Sequence, residues 1–400
     1  MTEALPMPLE GVTVLDLTQI YNGSYATFLM AMAGADVIKV EPPGGEFLRR
    51  RDARSGAAVP FAMLNANKRS ISLNLKSDQG RDLFMQLVAE ADVVAENYAP
   101  GVMDRLGVGS DVLQAANPRL IVASGSGYGQ SGRYRDFPAM DLTVQAMSGV
   151  MSVTGFAENP PVKSGAALCD FFGGVHLYGA IMTALYRRER TGEGTVIDVA
   201  MLDAVYASLA SSIGMTYGER NDIPSRTGNR HGGLSLCPYN VYPAADGFVA
   251  IICNNDKHWQ ALLGAMDRAD LETCEHLSTT RGRVAHMEEV DSLVSRWTAT
   301  MTRAAVFDHL IAHRVPCAPV RELPEVMADE HLHERGMLFE IDHPDLGPIT
   351  VCRSPLQFEG HAQAAYRPSP AYGADNAAIY RDLLGLDDDE RAALAESGVI

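Results

Sequence analysis

Residues 12–40 read VTVLDLTQIYNGSYATFLMAMAGADVIKV. The apolar run at 12–17 predicts a strand, residues 23–33 a helix that ends at Gly34, and residues 36–40 a second strand. This order predicts two parallel strands joined by a right-handed crossover. The turn after the first strand, TQIYNGSYA, lacks the GxGxxG pattern of a dinucleotide site. We therefore expect a Rossmann-like fold without a nicotinamide-dinucleotide site.

The same alternation continues along the chain. Further strands are predicted at 70–75, 92–95, 120–124 and 195–199, with helices at 78–90, 141–151 and 200–217 and a short strand at 162–164. This pattern is typical of an α/β fold with an open parallel sheet. Because ligands in such sheets bind at the carboxyl ends of the strands, we expect residues 18–24, 41–45, 96–101 and 124–129 to form the walls of a site.

The pattern changes after residue 217, where a polar stretch, GERNDIPSRTGNRHGG, reads as a linker. An antiparallel pair is predicted at 239–243 and 248–253, followed by helices at 257–266, 287–301 and 303–313. Short strands at 337–341 and 349–352 lead into a tail with short helices. We predict three segments: 1–217, the N-terminal part of a large domain; 218–322, a linker and a smaller α+β domain; and 323–400, a second linker and a C-terminal part.

Composition narrows the class of protein. The 400 residues carry a formal net charge of −17, which disfavours nucleic acid or an anionic membrane as a partner. The six cysteines form no CxxC pair, so neither a zinc site nor a disulfide framework is indicated, and no metal is expected. The N-terminus lacks the pattern of a signal peptide, and no apolar run reaches the ~18 residues of a membrane span. We expect a soluble cytoplasmic protein.

Residues 164–174, SGAALCDFFGG, carry the strongest chemical signal. Asp170 stands among small and apolar residues, just before the helical pattern of residues 175–186, and two glycines follow it. A helix N-terminus offers unpaired N–H groups that stabilise negative charge, and an accessible carboxylate can act as a nucleophile. Asp is also a favoured N-cap residue, so a purely structural role for Asp170 stays open at this point.

Several motifs together resemble the family III CoA-transferases, the CaiB/BaiF family that includes formyl-CoA transferase. They are LEGVTVLDLTQ, GADVIKVEPPGG, NANKRSISLNLK, ENYAPGVMDRLG and SGAALCDFFGG, in this order. The resemblance implies that the acid at Asp170 forms covalent anhydride and thioester intermediates. It also implies a large domain built from both chain ends, and long linkers that let two chains interlock as a homodimer.

The resemblance implies the site residues as well. In family members a glycine-rich loop covers the nucleophile, and here the loop at 228–233, GNRHGG, is the candidate; apart from the resemblance, backbone N–H groups near Asp170, including those of Gly173 and Gly174, are candidates to stabilise an oxyanion. Coenzyme A enters as the thioester substrate, with no permanently bound cofactor. The implied CoA contacts are Leu73 (adenine), Asn97 (backbone or ribose) and Arg105 (phosphate or adenine), with Lys76 close by; the implied loop residues include Arg230, His231, Gly232 and Gly233.

This chain departs from the family pattern at three positions. Pro42 follows VIKVE where a cation is frequent, so phosphate binding is expected to rest on Arg49, Arg50 or Arg51. Tyr21 stands where the formyl-CoA enzyme has an active-site glutamine, and Gln19 lies two residues earlier, so formyl-CoA and oxalate are not the expected substrates. Met140 occupies the place of the histidine base in related racemases.

We therefore predict an enzyme that moves CoA from succinyl-CoA or another acyl-CoA to a small carboxylic acid, with acyl-CoA and carboxylate substrates as its partners. One alternative is an α-methylacyl-CoA racemase of the same fold, in which His176 or His231 would replace the missing base. Another is an acyl-CoA-binding protein without turnover. His176 otherwise reads as a core histidine, Cys169 as a small buried residue, and His331 and His333 as surface residues.

Overall fold

The structure is a computed structural model that describes residues 5–52, 54, 56, 58–217, 224–361 and 364–400. Residue 218, where the predicted linker begins, lies outside these ranges. The chain forms two compact units. The first contains Met1–Ser148, Ala166–Ala207 and Asp329–Ile400, and the second Gly149–Gly165 and Ser208–Ala328. The boundaries drawn from the sequence stay a prediction, and both chain ends lie in the first unit.

Helices and strands are numbered along the chain. From the N-terminus to residue 153 they are β1 (Thr13–Asp16), α1 (Asn22–Met32), β2 (Asp36–Glu41), α2 (Val59–Leu64), β3 (Arg69–Ser72), α3 (Asp78–Glu90), β4 (Val93–Glu96), α4 (Val102–Arg105), α5 (Ser110–Ala116), β5 (Ile121–Ser126), α6 (Asp141–Met147) and α7 (Val150–Val153). Then follow α8 (Leu168–Thr191), β6 (Thr195–Ala200), α9 (Met201–Tyr206), α10 (Ala210–Thr216), β7 (Tyr239–Ala244), β8 (Gly247–Ile252), α11 (Asp256–Ala265), α12 (Thr280–Ala285), α13 (Met287–Thr298) and α14 (Arg303–Ala312). The last elements are β9 (Cys317–Pro319), α15 (Leu323–Met327), α16 (Glu330–Glu334), β10 (Leu338–His343), β11 (Gly347–Cys352), α17 (Asn376–Leu384) and α18 (Asp388–Glu396), and two short 3-10 helices cover Ala207–Leu209 and Ala269–Leu271.

The first unit is organised around a six-stranded sheet with the order β3-β2-β1-β4-β5-β6, in which all neighbouring strands are parallel. The strand order reverses between β1 and β4. In doubly wound sheets, this reversal opens a crevice at the carboxyl ends of the two strands, where ligands bind. The predicted Rossmann-like α/β class is confirmed, and the crevice lies at residues 17–21 and 97–101.

The central strands bury both faces of the sheet. Successive residues point to opposite sides, so Val14 packs with α1 and α8 on one face while Leu15 packs with α3 and α5 on the other. Helix α17 covers the second face next to β3, where the Tyr380 hydroxyl donates to the Ser72 carbonyl at 2.7 Å. The C-terminal segment is therefore part of the core of the first unit.

The second unit contains an antiparallel sheet of β7, β8 and β9 with helices packed around Trp259 and Val294. The side chain of Arg283 is fully buried, donates to the Cys237 carbonyl at 2.9 Å and pairs with Asp256 at 2.8 Å. The predicted hairpin and the α+β character of this part are confirmed.

Several elements differ from the sequence predictions. The helix expected at 141–151 is divided into α6 and α7 at Gly149, whose φ of +92° is favourable only for glycine. Residues 162–164 form no strand. The helix expected at 200–217 is divided by a 3-10 turn. Helix α8 begins at Leu168, so Asp170 lies in its first turn.

Within the described residues, one helix, α8, is long and apolar enough to cross a membrane by length and composition alone. Its side chains Leu177 and Ile181 are buried against the sheet together with α1. One side of α8 is therefore packed into the core of the first unit.

Candidate active site

The loop after β1 is fixed by buried charges. The Lys39 ammonium donates to the Thr18 carbonyl at 2.8 Å, and Lys68 pairs with Asp16 at 2.8 Å with both side chains fully buried. Although burial opposes the charge of Asp16, Lys68 and Lys39 hold the pKa of this carboxyl below its usual range. Burial lowers the pKa of Lys68 to about 8, and Asp16 acts in the opposite direction. The pair therefore stays charged at neutral pH and holds the loop in place.

A reciprocal pair of hydrogen bonds joins the two sides of the crevice. The Gln19 N–H donates to Asn97 Oδ1 at 2.7 Å, and Asn97 Nδ2 donates to the Gln19 carbonyl at 2.8 Å. These residues follow β1 and β4, the strands between which the sheet order reverses. The predicted residues Gln19 and Asn97 thus lie side by side at the carboxyl edge of the sheet.

Asn22 connects this loop to Asp170. Its Nδ2 atom donates to the Asp170 carbonyl at 3.3 Å, and the side chain is buried between α1 and α8. A Cβ atom added at Gly173 would lie 2.1 Å from Asn22 Nδ2, and one at Gly174 would lie 2.5 Å from the Asn22 carbonyl oxygen. The two glycines therefore permit the close approach of α8 to α1.

This packing changes the role assigned to Gly173 and Gly174. Only the first four N–H groups of a helix lack a partner within the helix, and both glycines lie beyond them in α8. The geometry does not support the oxyanion role predicted for their N–H groups. A steric role in helix packing is what the structure provides.

Asp141 caps the helix that carries Asp170. Its Oδ1 atom accepts from the N–H groups of Cys169 at 2.8 Å and Asp170 at 3.3 Å, and its Oδ2 atom accepts from Gln145 Nε2 at 2.6 Å. A carboxylate at this position satisfies N–H groups of the first turn and is favoured by the helix dipole. Asp141 is the first residue of α6, but its side chain caps α8.

Two carboxyl groups therefore share one helix N-terminus. Burial, and then the negative charge of Asp141, raise the pKa of Asp170 to about 7. Asp170 is half-buried, and near neutral pH it exchanges between an acid and a carboxylate. Its charge state can follow small changes in surroundings, as is common for groups in active sites.

A cavity of about 440 Å³ opens beside Asp170. Its walls come from the loops after β1, β4 and β5 and from residues 135–140 before α6. Five predicted site residues line it: Gln19, Asn97, Arg105, Met140 and Asp170. The structure also adds Asn22, Arg135 and Asp136 to the wall.

Three other predicted residues have different surroundings. Leu73 is 1% exposed and belongs to the core, and its N–H donates to the Glu41 carbonyl at 2.8 Å. Lys76 is exposed on the loop before α3. Tyr21 is half-buried, and its ring stacks on Phe171 with a centroid distance of 6.0 Å.

Arg49, one of the three arginines expected to replace the cation after VIKVE, is already paired with a carboxylate. Arg49 donates to both carboxylate oxygens of Glu41 at 2.7 and 2.9 Å, and its guanidinium lies 4.1 Å from the centre of the Phe61 ring. The guanidinium of Arg51 lies 5.1 Å from the centre of the Phe47 ring. Arg49 therefore has a structural role beside β2.

The predicted loop residues lie in the second unit. Arg230 pairs with Glu288 at 2.9 Å and with Asp291 at 2.7 Å. The Gly233 N–H donates to Nδ1 of His231 at 3.1 Å, which makes a compact turn with Gly232 between them. These contacts order the turn, and its function as a lid stays a prediction.

The remaining candidates have structural explanations. Burial, and then Asp141 and Asp170, raise the pKa of the Cys169 thiol to about 12, so this residue stays protonated. His176 is exposed rather than in the core, because it lies on the outer face of α8, and its Nδ1 is 2.8 Å from the Phe172 carbonyl. His331 and His333 are exposed on α16. In the part of the chain that the structure describes, no group of three or more ligand side chains could hold a metal ion.

Comparisons with known proteins agree with this geometry. Residues 9–376 match the sequence model of CoA-transferase family III. The chain belongs to CoA-transferase family III. It is 36% identical to a formyl-CoA:oxalate CoA-transferase of Streptomyces coelicolor, over 98% of this chain and 99% of that protein. It is 38% identical to a succinyl-CoA:mesaconate CoA-transferase of Haloarcula marismortui, over 87% of this chain and 89% of that protein.

The fold of this family III CoA-transferase is also shared with solved structures. A CaiB/BaiF family protein from Brucella suis superposes with a TM-score of 0.82 at 33% identity, over 94% of this chain and 99% of that one. The resemblance to the CaiB/BaiF family and the assignment to CoA-transferases are therefore confirmed. Substrates of this class are CoA thioesters.

Two residues that support Asp170 in this family III CoA-transferase carried little signal in the sequence. Asn22 looks like an ordinary polar residue in a turn, and its importance appears only when Gly173 and Gly174 pack against it. Asp141 reads as a cap for the helix that it begins. A side chain that caps a helix 28 residues later in the chain is beyond local patterns.

Proposed function

We propose that the protein transfers CoA from an acyl-CoA to a small free carboxylic acid, with Asp170 as the covalent nucleophile. The observation that carries this proposal is the half-buried carboxyl group of Asp170, which opens onto a cavity of about 440 Å³ at the carboxyl edge of the sheet. In the proposed mechanism, this third carboxylate holds first an acyl group and then CoA, so that the two acids do not react with each other directly.

In the first half of the reaction, a carboxylate oxygen of Asp170 attacks the thioester carbonyl carbon. The C–S bond breaks, CoA leaves as a thiolate, and an acyl-aspartyl anhydride remains. The thiolate then attacks the aspartyl carbonyl carbon, which releases the donor acid and leaves an aspartyl-CoA thioester. Covalent catalysis speeds the reaction because it divides one slow exchange into several easier acyl transfers.

The second half repeats these steps in reverse. The acceptor carboxylate attacks the aspartyl thioester, CoA leaves as a thiolate, and an anhydride with the acceptor forms. The thiolate attacks the acceptor carbonyl, which gives the new acyl-CoA and restores the Asp170 carboxylate. Since water would destroy both anhydrides, the mechanism needs a cover over Asp170. We assign this cover to the turn at 228–233.

The wall of the cavity supports the proposed binding of CoA. Arg105 and Arg135 both line it, and a guanidinium fits a phosphate group with paired donors. Asn97 adds a side-chain amide that is already held by Gln19. Exposed Lys76 adds a proposed contact with the nucleotide part of CoA, which enters as substrate and is not a resident cofactor.

For the acids, we propose succinyl-CoA as donor and a C4 or C5 dicarboxylate as acceptor. Support comes from relatives named succinyl-CoA:mesaconate CoA-transferase and succinate–glutarate CoA-transferase, the second 35% identical to this chain. Tyr21, where the formyl-CoA enzyme has glutamine, disfavours formyl-CoA and oxalate. The choice is tested by assaying transfer from succinyl-CoA to a set of acceptor acids. Oxalate is one of them, because a formyl-CoA:oxalate enzyme is 36% identical to this chain. We further propose that the enzyme is a cytoplasmic homodimer.

The central experiment traps the aspartyl intermediates. Native protein incubated with succinyl-CoA and then with hydroxylamine should carry a hydroxamate on Asp170, located by peptide mass spectrometry. Asp170→Ala should lose exchange of CoA between acids while it still binds CoA. Asp111→Ala, at an exposed acid of α5 that does not line this cavity, is the control and should keep turnover. Full turnover in Asp170→Ala would disprove the covalent mechanism.

A second measurement separates transfer from racemisation. Proton exchange at an α-carbon needs a general acid or base, and Met140 cannot provide one. A 2-methylacyl-CoA incubated in deuterium oxide should therefore show no enzyme-dependent deuterium uptake, while CoA moves to added acid. Rapid uptake without an acceptor would favour a racemase, and CoA binding without either reaction would favour a binding protein.

A further inference from the structure

A second group of reactive side chains lies in the second unit and has no part in the reaction at Asp170. It contains Cys274, His276 and Glu289 and is called here the thiol cluster. The Cys274 sulfur lies 3.3 Å from Nδ1 of His276, and Nε2 of the same ring lies 3.2 Å from Glu289 Oε2. The sulfur also lies 3.9 Å from Nε2, so the thiol contacts the imidazole ring nearest to Nδ1 while the carboxylate contacts Nε2.

This order of groups determines the direction of proton movement. A carboxylate beside Nε2 accepts a hydrogen bond from that nitrogen, which leaves Nδ1, the ring nitrogen nearer to the sulfur, without a proton. An imidazole within hydrogen-bond distance of a thiol can take its proton, and the thiolate is the nucleophilic form of cysteine. The thiol cluster has the arrangement that makes a cysteine reactive.

The thiol cluster is also accessible. Cys274 is half-buried, and its carbonyl accepts from the N–H groups of Leu277 and Ser278, so the loop before α12 is ordered. The side chains of His276 and Glu289 are 44% and 53% exposed. The side of the thiol cluster formed by His276 and Glu289 is therefore open to solvent, while Cys274 packs on its other side against the core of the second unit.

Neighbouring charged groups are held elsewhere. The ring of His286, just before α13, lies 4.7 Å from the His276 ring, and its Nδ1 is 2.9 Å from the Gly282 carbonyl. From α12, the Arg283 guanidinium donates to the Leu277 carbonyl at 3.0 Å and pairs with Asp256. Glu289 of α13 is therefore the carboxylate paired with His276 in the cluster.

Burial keeps the thiols of the other cysteines protonated. Burial raises the pKa of the Cys237 and Cys253 thiols to about 12 and that of Cys317 to about 11, and it also raises the pKa of Cys352. These groups stay protonated at neutral pH, as Cys169 does. A reagent that selects thiolates should distinguish among the six.

We propose that Cys274 is a modification site that exchanges with small-molecule disulfides, and that His276, oriented by Glu289, accepts its proton. The Cys274 proton moves to Nδ1 of His276, and the thiolate attacks one sulfur of the disulfide R–S–S–R. The S–S bond of the reagent breaks as the new bond to Cys274 forms. The departing thiolate takes up the proton from the imidazolium and leaves as R–SH. Cys274 is oxidised, and the disulfide supplies the oxidation.

The test uses the native full-length protein and oxidised glutathione at pH 7, with intact-mass measurement over time and peptide mapping. The first glutathione adduct should lie on Cys274 and form about ten times faster than any other. His276→Gln should slow this adduct by about tenfold. The control is His313→Gln, an exposed histidine of the same unit whose Nδ1 is 2.9 Å from the His309 carbonyl, and it should keep the native rate.

Two results would overturn the proposal: a first adduct on another cysteine, or an unchanged Cys274 rate in His276→Gln. Because His276 and Glu289 are exposed, Glu289→Gln provides a second variant that retains the fold, and its rate should lie between those of native protein and His276→Gln. Asp170→Ala should react at the native rate. The exchange at Cys274 can therefore succeed or fail independently of the transferase proposal.

Discussion

Asp170 must be ionised to attack a thioester, but its surroundings favour the protonated form. Burial, and then the charge of Asp141, raise its pKa to about 7. Below this pH the carboxyl group is protonated and cannot act as a nucleophile. We expect kcat/KM to rise through pH 7 and to fall by about tenfold per unit well below it. The measurement is the pH profile of CoA transfer, and a flat profile from pH 5 to 8 would contradict the assignment of the nucleophile.

The raised pKa of Asp170 also predicts that the free energy of unfolding depends on pH. A carboxyl group whose pKa is higher in the folded than in the unfolded state favours folding when protonated, and this contribution is lost as pH rises from about 4 towards 7. Asp170→Asn removes the charge at all pH values. We therefore expect the variant to lose transfer but to have a higher Tm than native protein at pH 8, with the difference shrinking at pH 5. A lower Tm at pH 8 would show that the charge does not destabilise the fold.

A substitution at Asp141 can separate the two causes of the raised Asp170 pKa, which are burial and the negative charge of Asp141. In Asp141→Asn the side-chain oxygen can still accept from the N–H groups of Cys169 and Asp170, but the negative charge is gone. The pKa of Asp170 should fall, so the rising limb of the kcat/KM profile should move to lower pH by about half a unit or more. Asp136→Asn is the matched control and should leave the midpoint in place. An unmoved midpoint in Asp141→Asn would leave burial as the only cause.

The glycines of α8 determine how closely this helix packs against α1. Gly174→Ala would place a methyl group 2.5 Å from the Asn22 carbonyl oxygen, which cannot rotate away because it belongs to the backbone. We expect a loss of about 1–3 kcal/mol in the free energy of unfolding, measured by urea denaturation. Gly264→Ala in α11 is the control, since a methyl group there meets open space, and it should be neutral or stabilising. Equal stability of the two variants would disprove close helix packing at Gly174.

Some helices and strands could be predicted from the sequence, and others could not. Apolar periodicity located β1, α1 and β2, because such buried segments carry their own pattern. It did not find the break at Gly149 or the absence of a strand at 162–164, since a glycine with positive φ and an unpaired extended segment are settled by tertiary contacts. Asp170 itself was found from its motif. Its helix cap was not, because Asp141 is distant in the chain.

In the described residues, one face of α8 is exposed to solvent. Phe171, Val175 and Tyr186 are 37%, 48% and 62% exposed, although the opposite side of the same helix is buried against the sheet. Exposed apolar side chains grouped on one helix face are a common mark of an interface. We take this face, together with the chain crossing between its two units four times, as support for the proposed homodimer.

The final prediction tests that assembly. Val175→Glu places a charge on the open face of α8 and should reduce the dimer fraction recovered after refolding, measured by light scattering. Val112→Glu is the control, because Val112 is 46% exposed on α5 at the opposite face of the sheet, and it should leave the dimer fraction unchanged. Chains that interlock cannot separate unless one of them unfolds, so native dimers carrying two different tags should exchange no subunits over hours at low concentration. A compact active monomer, or rapid exchange of tagged subunits, would rule out an interlocked dimer.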